Sequence, residues 1–266
     1  MNGTDRLLDV VLADLAAEND RLDALVADLP ETRWRTPTPA PGWHVATQVA
    51  HLAWTDEAAH VAATDPQGWD ALVRAALADP ARVADDAALA GGAEAPAVVL
   101  ERWRSARRTL AETLRRYPDG QRIPWYGPPM SATSMATARF METWAHGLDV
   151  HQALDAEPEV TDRIRHVAHL GVRARDFAFS LRGSKPPEEG FRVDLTAPSG
   201  GLWSWGPEDA AQTVTGPAYD FCLLVTQRIN RADTALVATG PDADHWLDIA
   251  QAFAGPPGEG RAAQHG

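Results

Sequence analysis

The sequence predicts an α+β protein, a helical bundle followed by a small mixed domain. Three observations carry this. Four long stretches of the first half repeat apolar residues at a helical period. Loops dense in proline and glycine separate them. Beyond about residue 184 the period falls to two, the signature of strands. The length of 266 residues suits one large domain or two small ones, and the 45% hydrophobic, 23% charged composition is ordinary for a globular chain.

The first predicted helix runs from Asp5 to Leu29, with Leu8, Val11, Leu12, Leu15, Leu22, Leu25 and Val26 on one stripe, and Pro30 ends it. Residues 31–43 are a loop broken by three prolines and a glycine. Val45 to Thr64 is the second helix. Residues 66–92, rich in alanine, read as one or two short helices in a long connection. Val98 to Tyr117 is the third long helix, with Leu100, Trp103, Ala106, Leu110 and Leu114 on one face. Residues 118–130 hold four prolines and two glycines and exclude regular structure. Ser131 can cap a fourth helix reaching about Leu154. Long helices joined by loops favour an up-and-down bundle. A further helix is expected from Thr161, its cap, to Leu181.

The pattern then changes. Strands are expected at 191–195, 202–205, 212–215 and 235–239, with helices at 218–229 and 241–253. These readings divide the chain into a helical domain at 1–183, a small α+β domain at 184–255, and a disordered Gly/Pro-rich tail at 256–266.

Charge and cysteine content bound the function. The formal net charge is −13, and so acidic a chain is a poor candidate for phosphate backbones or anionic membranes. No apolar run is long enough to span a bilayer, and the N-terminus lacks the pattern of a signal peptide. Cys222 is the single cysteine, which suits a reducing cytoplasm and excludes a multi-thiolate zinc knuckle. Lys185 is the only lysine among the basic residues. With the many Ala, Asp and Pro residues, this suggests a GC-rich coding sequence.

Two stretches carry candidate chemistry, PGWHVATQVAHLAW at 41–54 and ARFMETWAHGLDV at 138–150. Glu142 and His146 are four apart and share a helix face, with Arg139 one turn earlier. His51 sits among Val49, Ala50 and Leu52. Two imidazoles and a carboxylate from two helices can form a three-donor divalent metal site with an open position. Bland readings stand beside this one. Glu–His pairs four apart occur by chance as exposed pairs, a buried His is more often a satisfied core residue, and spacing does not show that the two helices face each other.

The same two stretches resemble the DinB-like metalloprotein superfamily, and within it the actinobacterial mycothiol-dependent maleylpyruvate isomerase-like family. The resemblance implies an N-terminal DinB-like four-helix bundle with a metal held by His51, Glu142 and His146. The stretch from Val214 to Phe253 resembles that family's small α+β domain, which is sterol carrier protein-like. It further implies mycothiol as thiol cofactor or co-substrate, with a zinc-bound thiol losing its proton at neutral pH. The implied activity is that of an isomerase or S-transferase acting on a small electrophile. Arg228 matches the position of an arginine that assists catalysis in that family, where it would pair a substrate carboxylate. Arg228 reads equally as an exposed helix C-terminal charge.

Two His and one Glu suit zinc and also nickel or iron. A cytoplasmic monomer or homodimer, with neither nucleic acid nor membrane as partner, completes this expectation. Two alternatives share the scaffold: a thiol-independent metalloenzyme of hydrolase, lyase or cyclase type, and a non-catalytic protein binding metal and a small ligand. Other residues read blandly. His44 and His60 are expected at the surface, and His151 lies off the His146 stripe. Asp56 and Glu57 read as solvated helix charges before pocket acids. Trp54, Trp103, Trp125 and Trp144 could wall an aromatic pocket, with core packing the first reading for most of them, and Cys222 reads as a buried small hydrophobe.

Overall fold

A computed structural model describes residues 3–264 except Ala81 and Glu259. The chain forms two compact units, 1–158 and 159–266.

Among the described residues, the α-helices of the first unit are α1 (Gly3–Val26), α2 (Val45–Thr64), α3 (Pro66–Ala78), α4 (Val83–Gly92), α5 (Pro96–Arg116) and α6 (Ala132–Ala153). Helix α2 is central. It packs against α5, α4, α6 and α3, and it is buried almost all round, from Val45 to Ala62. Small residues at positions 46, 50, 53, 58, 59 and 62 let its neighbours approach closely. Gly92 is one such approach, since a Cβ there would lie 2.8 Å from the Thr47 backbone. The core joins Leu22 and Val26 of α1, Val49 and Leu52 of α2, Trp103 of α5 and Val150 of α6. Helix α1 packs on α6 and is tied to α5 by Asp23, which Arg104 and Arg107 both bind.

Start signals behave as expected. Ser131 Oγ accepts from Ser134 N at 3.1 Å and caps α6. Asp65 caps α3 by accepting from Gly68 N. Residues Glu31–Arg35 make a 3-10 turn inside the first loop, and the 118–130 loop is closed by a bridge between Ile123 and Met130.

The second unit carries α7 (Arg165–Arg173), α8 (Arg175–Leu181), β1 (Arg192–Thr196), β2 (Leu202–Trp205), β3 (Thr213–Pro217), α9 (Ala218–Val225), β4 (Val237–Thr239) and α10 (Pro241–Ile249). The sheet order is β2-β1-β3-β4, with β1 and β3 parallel and both outer pairs antiparallel. Val193, Leu195 and Val214 point into a core with Phe221 and Trp246, whose rings meet edge-on at 5.7 Å.

Several expectations need correction. The unit boundary falls at 158/159 rather than 183/184. Helix α7 packs on α9, and the contact is close at Gly171, where a Cβ would lie 2.9 Å from Val225 Cγ2. The single helix expected from Thr161 is a 3-10 turn at Asp162–Ile164 followed by α7 and α8, and Thr161 makes no side-chain cap. Helix α9 ends at Val225, not Ile229. Gln227 turns left-handed at φ +59°, and Arg228 N and Gln227 N bond back to the Leu223 and Leu224 carbonyls. Beyond Ile249 the described residues form neither helix nor strand. The described part of the expected disordered tail makes bonds, Asn230 Nδ2 to the Arg261 carbonyl and Arg182 Nη2 to the Gly258 carbonyl. Glu259, His265 and Gly266 of that tail lie outside the described residues.

Candidate metal centre

Helices α2 and α6 lie against each other in the first unit. Across that contact the structure brings His51, Glu142 and His146 together. His51 Nε2 is 3.4 Å from Glu142 Oε2, and His146 Nε2 is 3.2 Å from the same oxygen. The imidazole centroids are 4.5 Å apart. One donor atom from each residue lies within 4.8 Å of the others. Donors around a tetrahedral ion with bonds of about 2.1 Å stand about 3.4 Å apart, so the two distances to Glu142 Oε2 fit a divalent metal.

The surroundings orient these groups. His146 Nδ1 is 2.5 Å from Gln48 Oε1. Gln48 is fully buried, and its Nε2 donates to Thr38 Oγ1 at 2.9 Å. Thr38 Oγ1 donates in turn to the Trp43 carbonyl at 3.1 Å. The Trp43 ring stacks on His146, with centroids 5.8 Å apart and planes 16° from parallel, and meets His51 at 5.2 Å. The loop before α2 thus contacts both imidazoles.

Behind Glu142 lies a buried charge cluster. Arg139, 3% exposed, places Nη2 3.8 Å from Glu142 Oε1 and its guanidinium 5.2 Å above the Trp125 ring. Burial pushes the Glu142 carboxyl up, but hydrogen bonds from His146 and His51 and the charge of Arg139 outweigh it and hold the pKa well below the usual value. Asp56 is buried as well. Its desolvation raises the carboxyl to about 7, against the pull of Arg139.

Aromatic rings extend from the cluster. Trp54 lies 6.1 Å from His51 and stacks on Tyr126, which meets Trp69, which stacks on Trp125 beneath Arg139. A cleft of about 1000 Å³ shares Trp69 with this wall but is lined by none of the three candidate donors. It runs past His60, Thr113 and Tyr117 toward the ends of α2 and α5.

Other expected residues fall as follows. Arg228 lies in the second unit just past α9, half-buried, with Nη1 donating to the Thr226 carbonyl at 2.6 Å. Asp56 is a correction, since it is buried rather than solvated; it faces the bundle core on a helix buried nearly all round. His44 is half-buried and caps α2 by accepting from Thr47 N. His60 is also half-buried, bonded to Thr113 at 2.8 Å. Glu57 pairs with Arg102 through two hydrogen bonds. Trp103 and Trp144 are core, whereas Trp54 and Trp125 are half-buried in the aromatic wall. Cys222 is buried, and desolvation pushes its thiol up. The sequence reading missed Gln48. Its signal was a polar amide three residues before His51 and on the same face.

Comparison with known proteins adds a family. Residues 15–151 match the family described as mycothiol maleylpyruvate isomerase N-terminal domain. Residues 187–239 match one described as wyosine base formation. Two uncharacterized Mycobacterium tuberculosis proteins, from strains CDC 1551 and H37Rv, are each 58% identical over 250 residues, 94% of this chain and 97% of theirs. The crystal structure of the mycothiol-dependent maleylpyruvate isomerase overlays with a TM-score of 0.56 at 15% identity, and that of a histidine variant of it with 0.57 at 14%. Each overlay covers 89% of this chain and 95% of the other, and shows a shared fold.

Proposed function

Since the chain belongs to the mycothiol maleylpyruvate isomerase N-terminal domain family, we propose that it is a metal-dependent enzyme using mycothiol as thiol cofactor or co-substrate. The reaction is isomerisation of, or S-transfer to, a small electrophile, with a carboxylated compound as the first candidate. One observation carries this reading: His51, Glu142 and His146 converge from two helices at the spacing of ligands around one ion. Zinc is the first choice of metal, with nickel and iron as alternatives. A divalent ion bound there supplies Lewis acidity that lets a thiol lose its proton near neutral pH.

The chain's own residues have distinct tasks. Three donors leave an open position, as a catalytic rather than a structural site requires. Trp43 packs on both imidazoles and limits water at that side. Hydrogen bonds with His146 and His51, helped by the charge of Arg139, keep Glu142 ionised despite its burial. Arg228, from the second unit, is the candidate for pairing a substrate carboxylate, a role that rests on the resemblance at that position. We place the enzyme in the cytoplasm as a monomer or homodimer. No helix among the described residues is long and apolar enough to cross a membrane.

The test is turnover of maleylpyruvate and of related cis-conjugated acids by zinc-loaded protein, with and without mycothiol. Mass spectrometry separates isomerised product from thiol adduct. Thiol-dependent turnover supports the reading. Turnover unchanged by omitting thiol would replace it with a thiol-independent metalloenzyme.

A further inference from the structure

We propose that Gln48 is a positioning residue that locks His146 in the one tautomer able to bind a metal through Nε2. The proposal takes its purpose from the metal reading above, while its geometry stands apart from it. Thr38 Oγ1 has one proton and gives it to the Trp43 carbonyl, so toward Gln48 it can only accept. The Gln48 NH2 group therefore faces Thr38, and the amide oxygen faces His146. An amide oxygen has no proton to give, so His146 Nδ1 carries the N–H. Nε2 is left as the nitrogen 3.2 Å from Glu142 Oε2. A lone pair and a carboxylate oxygen that close call for a cation between them, a proton or a metal ion.

His51 is built differently. Its Nδ1 is buried and has no hydrogen-bond partner among the described residues, so no acceptor there holds the proton on Nδ1 and frees Nε2. Of the two candidate imidazole ligands, only His146 is thus set in advance. The choice of an amide has a consequence. A carboxylate in this place would raise the basicity of His146 as a ligand, whereas a neutral acceptor orients the ring without adding charge, and an ion bound there stays more acidic at its open position.

Nitrogen-15 NMR of the full-length protein, metal-free and zinc-loaded, reads the His146 ring directly. The expected result is a protected proton on Nδ1 in both forms. Gln48→Leu should lose that protection and bind zinc about 10- to 100-fold more weakly in a chelator competition. Gln48→Glu, which keeps an acceptor oxygen in place, should retain both the Nδ1 proton and tight binding. A His146 ring carrying its proton on Nε2 alone in the parent protein overturns the proposal. So does a folded Gln48→Leu variant that binds zinc as tightly as the parent. If Gln48→Leu fails to fold, the parent spectrum and Gln48→Glu still decide. A parent protein that binds no zinc sinks the metal reading, while the metal-free spectrum continues to judge Gln48.

Discussion

His51 Nε2 lies 3.4 Å from Glu142 Oε2, although 91 positions separate the two residues in the chain. The α2–α6 contact makes this meeting, and His146 adds its nitrogen to the same oxygen. Three groups that share one oxygen depend on one another, and substitutions can separate their roles.

Removing a donor should empty the centre. Glu142→Ala and His146→Ala should each lower zinc affinity by more than the roughly 10- to 100-fold typical of losing an outer partner. His60→Ala, whose ring bonds Thr113 instead, should leave it unchanged. Metal content after equal loading and gel filtration reads the difference. Full retention in both site variants would refute the assignment.

Metal should also stabilise the fold. A ligand that binds only the native state at 100 times its Kd adds about 2.7 kcal/mol. Zinc should therefore raise the Tm of the parent by several degrees and leave that of His146→Ala where it was. Equal shifts in both proteins would place the zinc elsewhere.

Asp56 should make the metal-free protein less stable as pH rises. Its folded pKa, about 7, lies above the value near 3.8 of an ordinary Asp. The neutral form is favoured in the native state. Its contribution is complete below pH 4 and is lost as pH rises through 7. Arg139, Glu142, Arg107 and Glu57 all act on this carboxyl, so the comparison must be with a variant. Asp56→Asn stays neutral, and its stability relative to the parent should grow between pH 4 and 8, by at most ~4 kcal/mol. Denaturant melts at several pH values measure it, and a constant difference would contradict the assignment of Asp56.

Gly92 should resist enlargement. A Cβ would meet the Thr47 backbone at 2.8 Å, and α4 would have to move off α2. Gly92→Ala should cost about 1–3 kcal/mol, as overpacking in a well-packed core does. A neutral or stabilising effect in a urea melt would show that the two helices can separate freely.

Much of this was legible in the sequence, for physical reasons. Helices α2 and α6 kept nearly the predicted ends, because Asp65-Pro66 and Ser131 are strong local signals. The candidate donors were legible as types and spacings; their meeting was not, since periodicity carries no information on which helices face each other. Asp56 was misplaced because α2 is buried nearly all round, and a charge on such a helix has no solvated face to occupy. The boundary at 158 was hidden because α7 is helical like the first unit yet packs on α9. Gln48 escaped notice because its importance lies in a bond to a residue 98 positions away.

On the proposed function, the loaded centre takes a thiol. The most direct measurement is a calorimetric titration of mycothiol into zinc-loaded protein, with metal-free protein run beside it. Mycothiol should bind the loaded form alone, and His146→Ala should lose that binding. Binding to neither form, or equal binding to both, would contradict the proposed function.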